Sequence, residues 1–157
     1  MSMKKYIGTK LIEAEPAFRC MDGNRNTVIT RDPHEAFPNY PSVEDGYRVR
    51  YPDGYVSWSP KEVFEEAYRP TDGLSFGLAI EAAKRGLKIA RRGWNGKGQH
   101  VELAACISYT SPRGEIVNSE HEAIGNRALA FVGTSGVQMG WLASQADMLA
   151  DDWMIVE

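Results

Sequence analysis

The apolar positions along this chain change period several times, and each change marks a predicted element. Tyr47, Val49 and Tyr51 alternate with Arg48 and Arg50, which gives one strand an apolar and a charged face. Pro52-Asp53-Gly54 is turn chemistry, and Tyr55, Val56 and Trp58 supply the return strand of a hairpin. Upstream, Tyr6 to Ala14 has enough β-branched and aromatic residues for a strand, though its alternation is imperfect. Met21 to Asp45 is polar and broken by Gly23, Pro33, Pro38 and Pro41, which predicts a long irregular loop. After the hairpin, Ser59-Pro60-Lys61-Glu62 reads as a helix start, with Ser59 as N-cap, Pro60 in the first turn and Glu62 closing a capping box. Val63, Phe64 and Ala67 would form its buried side, and Arg69-Pro70 would end it.

The second half switches to a helical period. Phe76, Ala79, Ile80 and Ala83 share one face after a Ser75 N-cap, and Gly86 suits the left-handed position that closes such a helix. Strands are then predicted at Lys88–Arg92 and Gln99–Ala105, with a turn over Gly93–Gly98 between them. Cys106–Thr110 and Glu115–Asn118 flank the turn Ser111–Gly114, and Arg127–Val132 pairs with Val137–Leu142 around Gly133–Gly136. Ser144–Ala150 reads as a short helix and Trp153–Val156 as a last strand. The expected class is therefore α+β, in two modules joined by Thr71-Asp72-Gly73. Residues 1–72 would form a small β-hairpin plus helix, and residues 73–157 a small antiparallel sheet packed by one main helix.

Composition adds exclusions more than identity. The net charge of −3 is shared by two similar halves, 10 cations against 12 acids in residues 1–72 and 8 against 9 in residues 73–157. Neither half is basic enough to bind long nucleic acid by phosphate neutralisation. Cys20 and Cys106 are far apart and belong to no paired or metal-spaced motif, which predicts reduced thiols in a cytosolic protein. Lys4 and Lys5 precede a mixed segment with Thr9, Lys10 and Glu13 instead of an apolar run, so no secretory leader is expected. No window approaches the ~18 apolar residues of a membrane span.

The candidate chemistry is local. Six cations lie between Glu81 and Glu102 with no acid among them, and Trp94-Asn95 sits in their midst between Gly93 and Gly96. Such a surface suits a flat anion: an indole face stacks a heterocyclic base, Arg92 or Lys97 supplies charge and donors, and glycines let backbone N–H groups approach. The same stretch also reads as an ordinary basic turn beside a core or interface tryptophan, with Asn95 capping the turn through its own backbone. On a strand, Arg91 and Arg92 point to opposite faces, so at most one addresses a site. Trp141 and Trp153 read as core. Asp147 and Asp151 could share a helix face like a metal pair, but nothing completes a coordination shell. His34, His100 and His121 are scattered and read as surface or structural residues.

Leu74 to Gly98, reading L-S-F-G-L-A-I-E-A-A-K-R-G-L-K-I-A-R-R-G-W-N-G-K-G, and Trp141 to Val156, reading W-L-A-S-Q-A-D-M-L-A-D-D-W-M-I-V, closely resemble the type-two Thoeris anti-defence family of bacteriophages. The resemblance implies a molecular sponge, a small homo-oligomer of tetrameric type that binds and sequesters cyclic ADP-ribose immune signals without cleaving them. Some relatives are thought to capture cyclic oligonucleotides of CBASS systems at a separate site. It implies no enzyme, no cofactor and no metal, and a place in the host cell cytoplasm. Matching motif positions make Trp94 the ligand platform, Asn95 and Lys97 its neighbours, and Gln145 and Asp147 further contacts, with Trp141 and Asp152 weaker candidates. Arg92 joins them for its charge. Arg127 is added as a phosphate contact from Ser119–Gly136, a stretch without a motif that aligns. The first module resembles a segment recurrent in phage proteins.

Two rival readings stand beside the sponge. One is a metal-dependent nucleotide hydrolase or phosphodiesterase using Asp147, Asp151 or Glu102. The other is a module that binds a host protein by way of residues 1–72. A module of modest core also gains by burying apolar surface between subunits, which favours composite sites at an interface.

Overall fold

A computed structural model of the chain describes residues 3–21, 24–32, 42–94, 96, 98–118 and 127–157. It has the sheet-rich α+β character expected, and it divides into two compact units, Met1–Arg69 and Pro70–Glu157.

The first unit is a four-stranded antiparallel sheet of order β2-β1-β3-β4, built from β1 (Glu13–Met21), β2 (Thr27–Thr30), β3 (Ser42–Arg50) and β4 (Val56–Pro60), followed by helix α1 (Lys61–Ala67). The predicted hairpin is β3–β4, turned at Gly54 with φ +86° and paired from Gly46↔Pro60 to Arg50↔Val56. It is only half of the sheet. The strand expected at Tyr6–Ala14 lies instead at Glu13–Met21, and residues 3–12 are irregular. Thr27–Thr30 and Ser42–Asp45, expected in a loop, are strand; the prolines and glycine that motivated that loop lie outside the described residues. The reason is that β1 is specified across strands. Its nine residues pair with all of β3, and Glu13, Glu15 and Arg19 meet Arg50, Arg48 and Glu44 across the ladder. Pro16 is accommodated because β2 pairs only with Phe18–Met21, so the proline lies past its end.

Close packing fixes one further position. The Trp58 indole crosses over Gly46 and donates its Nε1–H to the Ala17 carbonyl at 2.9 Å, and Arg19 stacks over the same ring at 4.3 Å. A Cβ on Gly46 would stand 2.3 Å from that ring. The capping box predicted for α1 does not form: Ser59 is held in β4 opposite Tyr47, the N-cap is Pro60, and no side chain caps the helix. Val63 and Ala67 are exposed; only Phe64 packs, stacked on Tyr47 at 4.1 Å and on Tyr68 at 5.0 Å.

The second unit is a five-stranded antiparallel sheet of order β10-β9-β6-β5-β11, comprising β5 (Lys88–Arg91), β6 (His100–Ala104), β9 (Ala128–Gly133), β10 (Gly136–Met139) and β11 (Trp153–Val156). The hairpin β7 (Ser108–Thr110) and β8 (Ile116–Asn118) forms a separate two-stranded piece. Helix α2 (Phe76–Lys84) begins at Ser75, whose hydroxyl accepts the Leu78 N–H, and is closed by Gly86 at φ +86°. Its three buried alanines, Ala79, Ala82 and Ala83, present little side chain, so the helix backbone lies close over Ile89, Val101 and Trp153. Register puts Ile89, Val101, Phe131 and Ile155 on this same face. Thr71-Asp72-Gly73, read as a linker, is tied to this unit, since the Ile155 N–H bonds the Thr71 carbonyl at 2.8 Å. Leu74 pairs with Trp153 in an isolated bridge. Cys20 is buried and Cys106 exposed, and neither is in a disulfide.

Candidate ligand-binding site

The residues singled out from sequence converge, in part, where β5 ends. Arg91 is the last residue of β5, the Gly93–Gly98 turn leaves from it, and β11 starts opposite it with the pair Trp153↔Arg91. Helix α3 (Gln145–Met148) completes the corner. Ser144 caps α3 in a full capping box: its hydroxyl accepts the Asp147 N–H at 3.1 Å, and the Asp147 carboxylate accepts the Ser144 N–H at 2.9 Å and hydroxyl at 2.7 Å.

Arg91 joins these elements. Its Nε donates to Asp152 Oδ1 at 2.9 Å and its Nη1 to Asp147 Oδ1 at 3.1 Å, and its side chain is 24% exposed. One guanidinium thus clamps the start of β11 to α3. Burial opposes ionisation of Asp147, but the Ser144 hydroxyl and amide, together with Arg91, outweigh it and hold the carboxyl below its usual range. For Asp152 the bond from Arg91 is the main cause of a lowered pKa, and both carboxylates in turn raise that of Arg91. The clamp is ionised across the neutral range.

Beside it stands an aromatic cluster. Trp94 is half-buried and meets Phe131 at 5.4 Å, Trp153 at 5.4 Å and Trp141 at 6.0 Å, all edge-on at interplanar angles of 69°, 76° and 73°. Trp153 is fully buried, and its Nε1–H is satisfied by the Asp147 carbonyl at 2.8 Å. Trp94 is therefore a packed aromatic as well as a candidate platform, anchored by its N–H to the Arg91 carbonyl at 3.2 Å. Edge-on neighbours fix the orientation of the ring.

The other sequence candidates fall in four groups. Arg92 is exposed and donates from its guanidinium to the Asp72 carbonyl at 2.6 Å, while its charge also favours the ionised Asp152; Gln145 is exposed at the first turn of α3. Asn95 and Lys97 lie outside the described residues, as do His34 and His121. Asp147 is engaged by Arg91 and Ser144, so its carboxylate already serves as an acceptor within the corner. Arg127 lies just before β9, two residues ahead of Leu129, whose carbonyl accepts the Trp141 N–H at 2.8 Å.

Of the carboxylates proposed for a hydrolase, Glu102 faces His100 at 3.4 Å on β6, whereas Asp147 pairs with Arg91 in the clamp. Among the described residues no three His, Cys, Asp or Glu side chains come together as a group able to hold a metal. Arg91 is the residue that sequence reasoning undervalued. The local signal that was available is Ser144-x-x-Asp147, a capping-box spacing that commits the aspartate to the helix start.

The fold and this corner define a small α+β domain that carries an aromatic cluster and adjacent cations at one end of its sheet. Compared with known families, residues 74–156 match the model of the Thoeris anti-defense 2-like domain. The Thoeris anti-defense 2 protein of Bacillus phage SP01 is 36% identical over 88 residues, which is 53% of this chain and 94% of that protein. The chain belongs to the Thoeris anti-defense 2-like family. Among the described residues no helix is long and apolar enough to cross a membrane.

Proposed function

We propose that this is a phage anti-defence protein that binds a cyclic ADP-ribose-type immune signal in the host cytoplasm and withholds it without cleavage. Supporting the anti-defence role is membership of a family named for it and a phage relative bearing the name. The observation that carries the binding role is the half-buried Trp94, held edge-on by three aromatics at the mouth of a turn flanked by Arg92. A ring with a fixed orientation loses little entropy when a base stacks on it, and cationic side chains nearby match the pyrophosphate of such a ligand.

Sequestration needs affinity without turnover. The acids nearest this corner are held ionised, Asp147 by Ser144 together with Arg91 and Asp152 mainly by Arg91, which suits them as fixed anchors and unsuits them as proton donors near neutral pH. Capture of a second, cyclic oligonucleotide class and assembly into a homo-oligomer, a tetramer by the family resemblance, are part of the same proposal. The purified protein, incubated with a cyclic ADP-ribose isomer and then heat-denatured, should release the intact cyclic molecule. Recovery of a linear product would overturn sequestration in favour of the hydrolase.

A further inference from the structure

The first unit holds a cleft of ≈ 470 Å³ lined by Glu13, Ala14, Glu15, Arg31, Arg48, Arg50 and Val56, far in sequence from the Trp94 corner. Three guanidiniums and two carboxylates line it, one positive charge in excess. Strand register accounts for two of the arginines, since Glu13↔Arg50 and Glu15↔Arg48 are direct cross-strand neighbours on β1 and β3 and form ion pairs. Arg31 is different. It follows the end of β2 and reaches Glu15 as well, taking Oε2 while Arg48 takes Oε1.

Stability alone is a weak reason for this arrangement, because exposed ion pairs contribute ~0–1 kcal/mol apiece. A second guanidinium on one carboxylate also adds repulsion between the cations. That repulsion disappears if another anion enters. Each guanidinium carries five N–H donors, and the single carboxylate oxygen that each meets in these ion pairs engages a fraction of them. Glu15 stays charged, as Arg31 first, and then Arg48, hold its carboxyl below the usual range against the effect of burial. The cleft is within the ~300–1,000 Å³ range of small-ligand sites, and Ala14 and Val56 give it an apolar wall.

The geometry points to a second, separate binding site in this cleft for a phosphate-bearing small molecule, gripped by Arg31, Arg48 and Arg50. The chemistry follows from the planar forks of arginine, which pair with phosphate oxygens two at a time. Glu15 acts as a placeholder, keeping Arg31 and Arg48 converged until the anion displaces it.

The test is calorimetric titration of the full chain with inorganic pyrophosphate at low ionic strength. One site per chain with sub-millimolar affinity is expected. Arg31→Gln, at a side chain 70% exposed and so not needed for folding, should weaken binding at least 10-fold. Glu15→Gln should tighten it several-fold, a change of sign that neither misfolding nor a purely structural ladder produces. Arg92→Gln, which removes the cation flanking Trp94, should leave pyrophosphate binding unchanged, and this separates the cleft from the signal-binding corner whether or not that corner works as proposed. No measurable binding to the wild-type chain up to about 10 mM, or equal binding by Arg31→Gln, or weaker binding by Glu15→Gln, overturns the assignment.

Discussion

Replacing Arg91 by alanine removes the only side chain that touches both Asp147 and Asp152 in the contacts described, and it tests whether the corner is held together by that one guanidinium. The loss can be bracketed. Exposed ion pairs contribute up to ~1 kcal/mol, while stripping one partner from a buried pair costs ~3–5 kcal/mol. Arg91, Asp147 and Asp152 are 24%, 15% and 35% exposed, so solvent screens the pair substantially and the expected cost is about 1.5–2 kcal/mol. For a domain of roughly 60–100 residues each kcal/mol lowers Tm by ~4–8 °C, which predicts a fall on the order of 6–16 °C. Differential scanning calorimetry of the full chain reads it directly.

A double-mutant cycle with Asp147→Asn should return a coupling above ~0.5 kcal/mol. The pH dependence supplies an independent check with a definite sign. Asp147 and Asp152 have folded pKa values below their unfolded ones, so their contribution is complete above about pH 4 and is lost as pH falls through the folded values. Wild type and Arg91→Ala should therefore differ at pH 7 and draw together as pH falls through the folded values. A variant melting within 1–2 °C of wild type at pH 7, or a difference that does not shrink in acid, refutes the clamp.

Other substitutions probe the same structure elsewhere. Trp94→Phe keeps an aromatic ring against Phe131, Trp141 and Trp153 while shrinking the stacking face; binding of a cyclic ADP-ribose isomer should weaken about 10-fold by calorimetry with the fold retained, given ~1–3 kcal/mol per stacked base. Ser144→Ala removes both hydroxyl contacts with Asp147 and should cost about 1 kcal/mol in chemical denaturation. Gly46→Ala forces a methyl to within 2.3 Å of the Trp58 ring and of the Ser59 carbonyl, backbone that cannot swing aside; a loss of roughly 2–3 kcal/mol with a shift in tryptophan fluorescence is expected.

Where a structural choice was made by near neighbours in the chain, it was legible beforehand. The Ser75 cap and Gly86 stop of α2, the Gly54 and Gly114 turns, and the Trp153–Val156 strand all follow from local dihedral preference and apolar period. The amino-acid order likewise concentrated cations around Trp94. What it could not decide was anything requiring a partner distant along the chain. Glu13–Met21 carries little apolar alternation and contains a proline, and it becomes a central strand because β3 supplies opposite charges in register. The Ser59 cap looked complete and lost to a ladder pairing with Tyr47. Arg91 and Arg92 are adjacent and chemically alike; only the arrival of Asp147 and Asp152, 56 and 61 residues later, makes the first a clamp and leaves the second exposed. A charge records its own sign in the sequence, but its role depends on which opposite charge the fold brings within about 3 Å, and that is settled by packing.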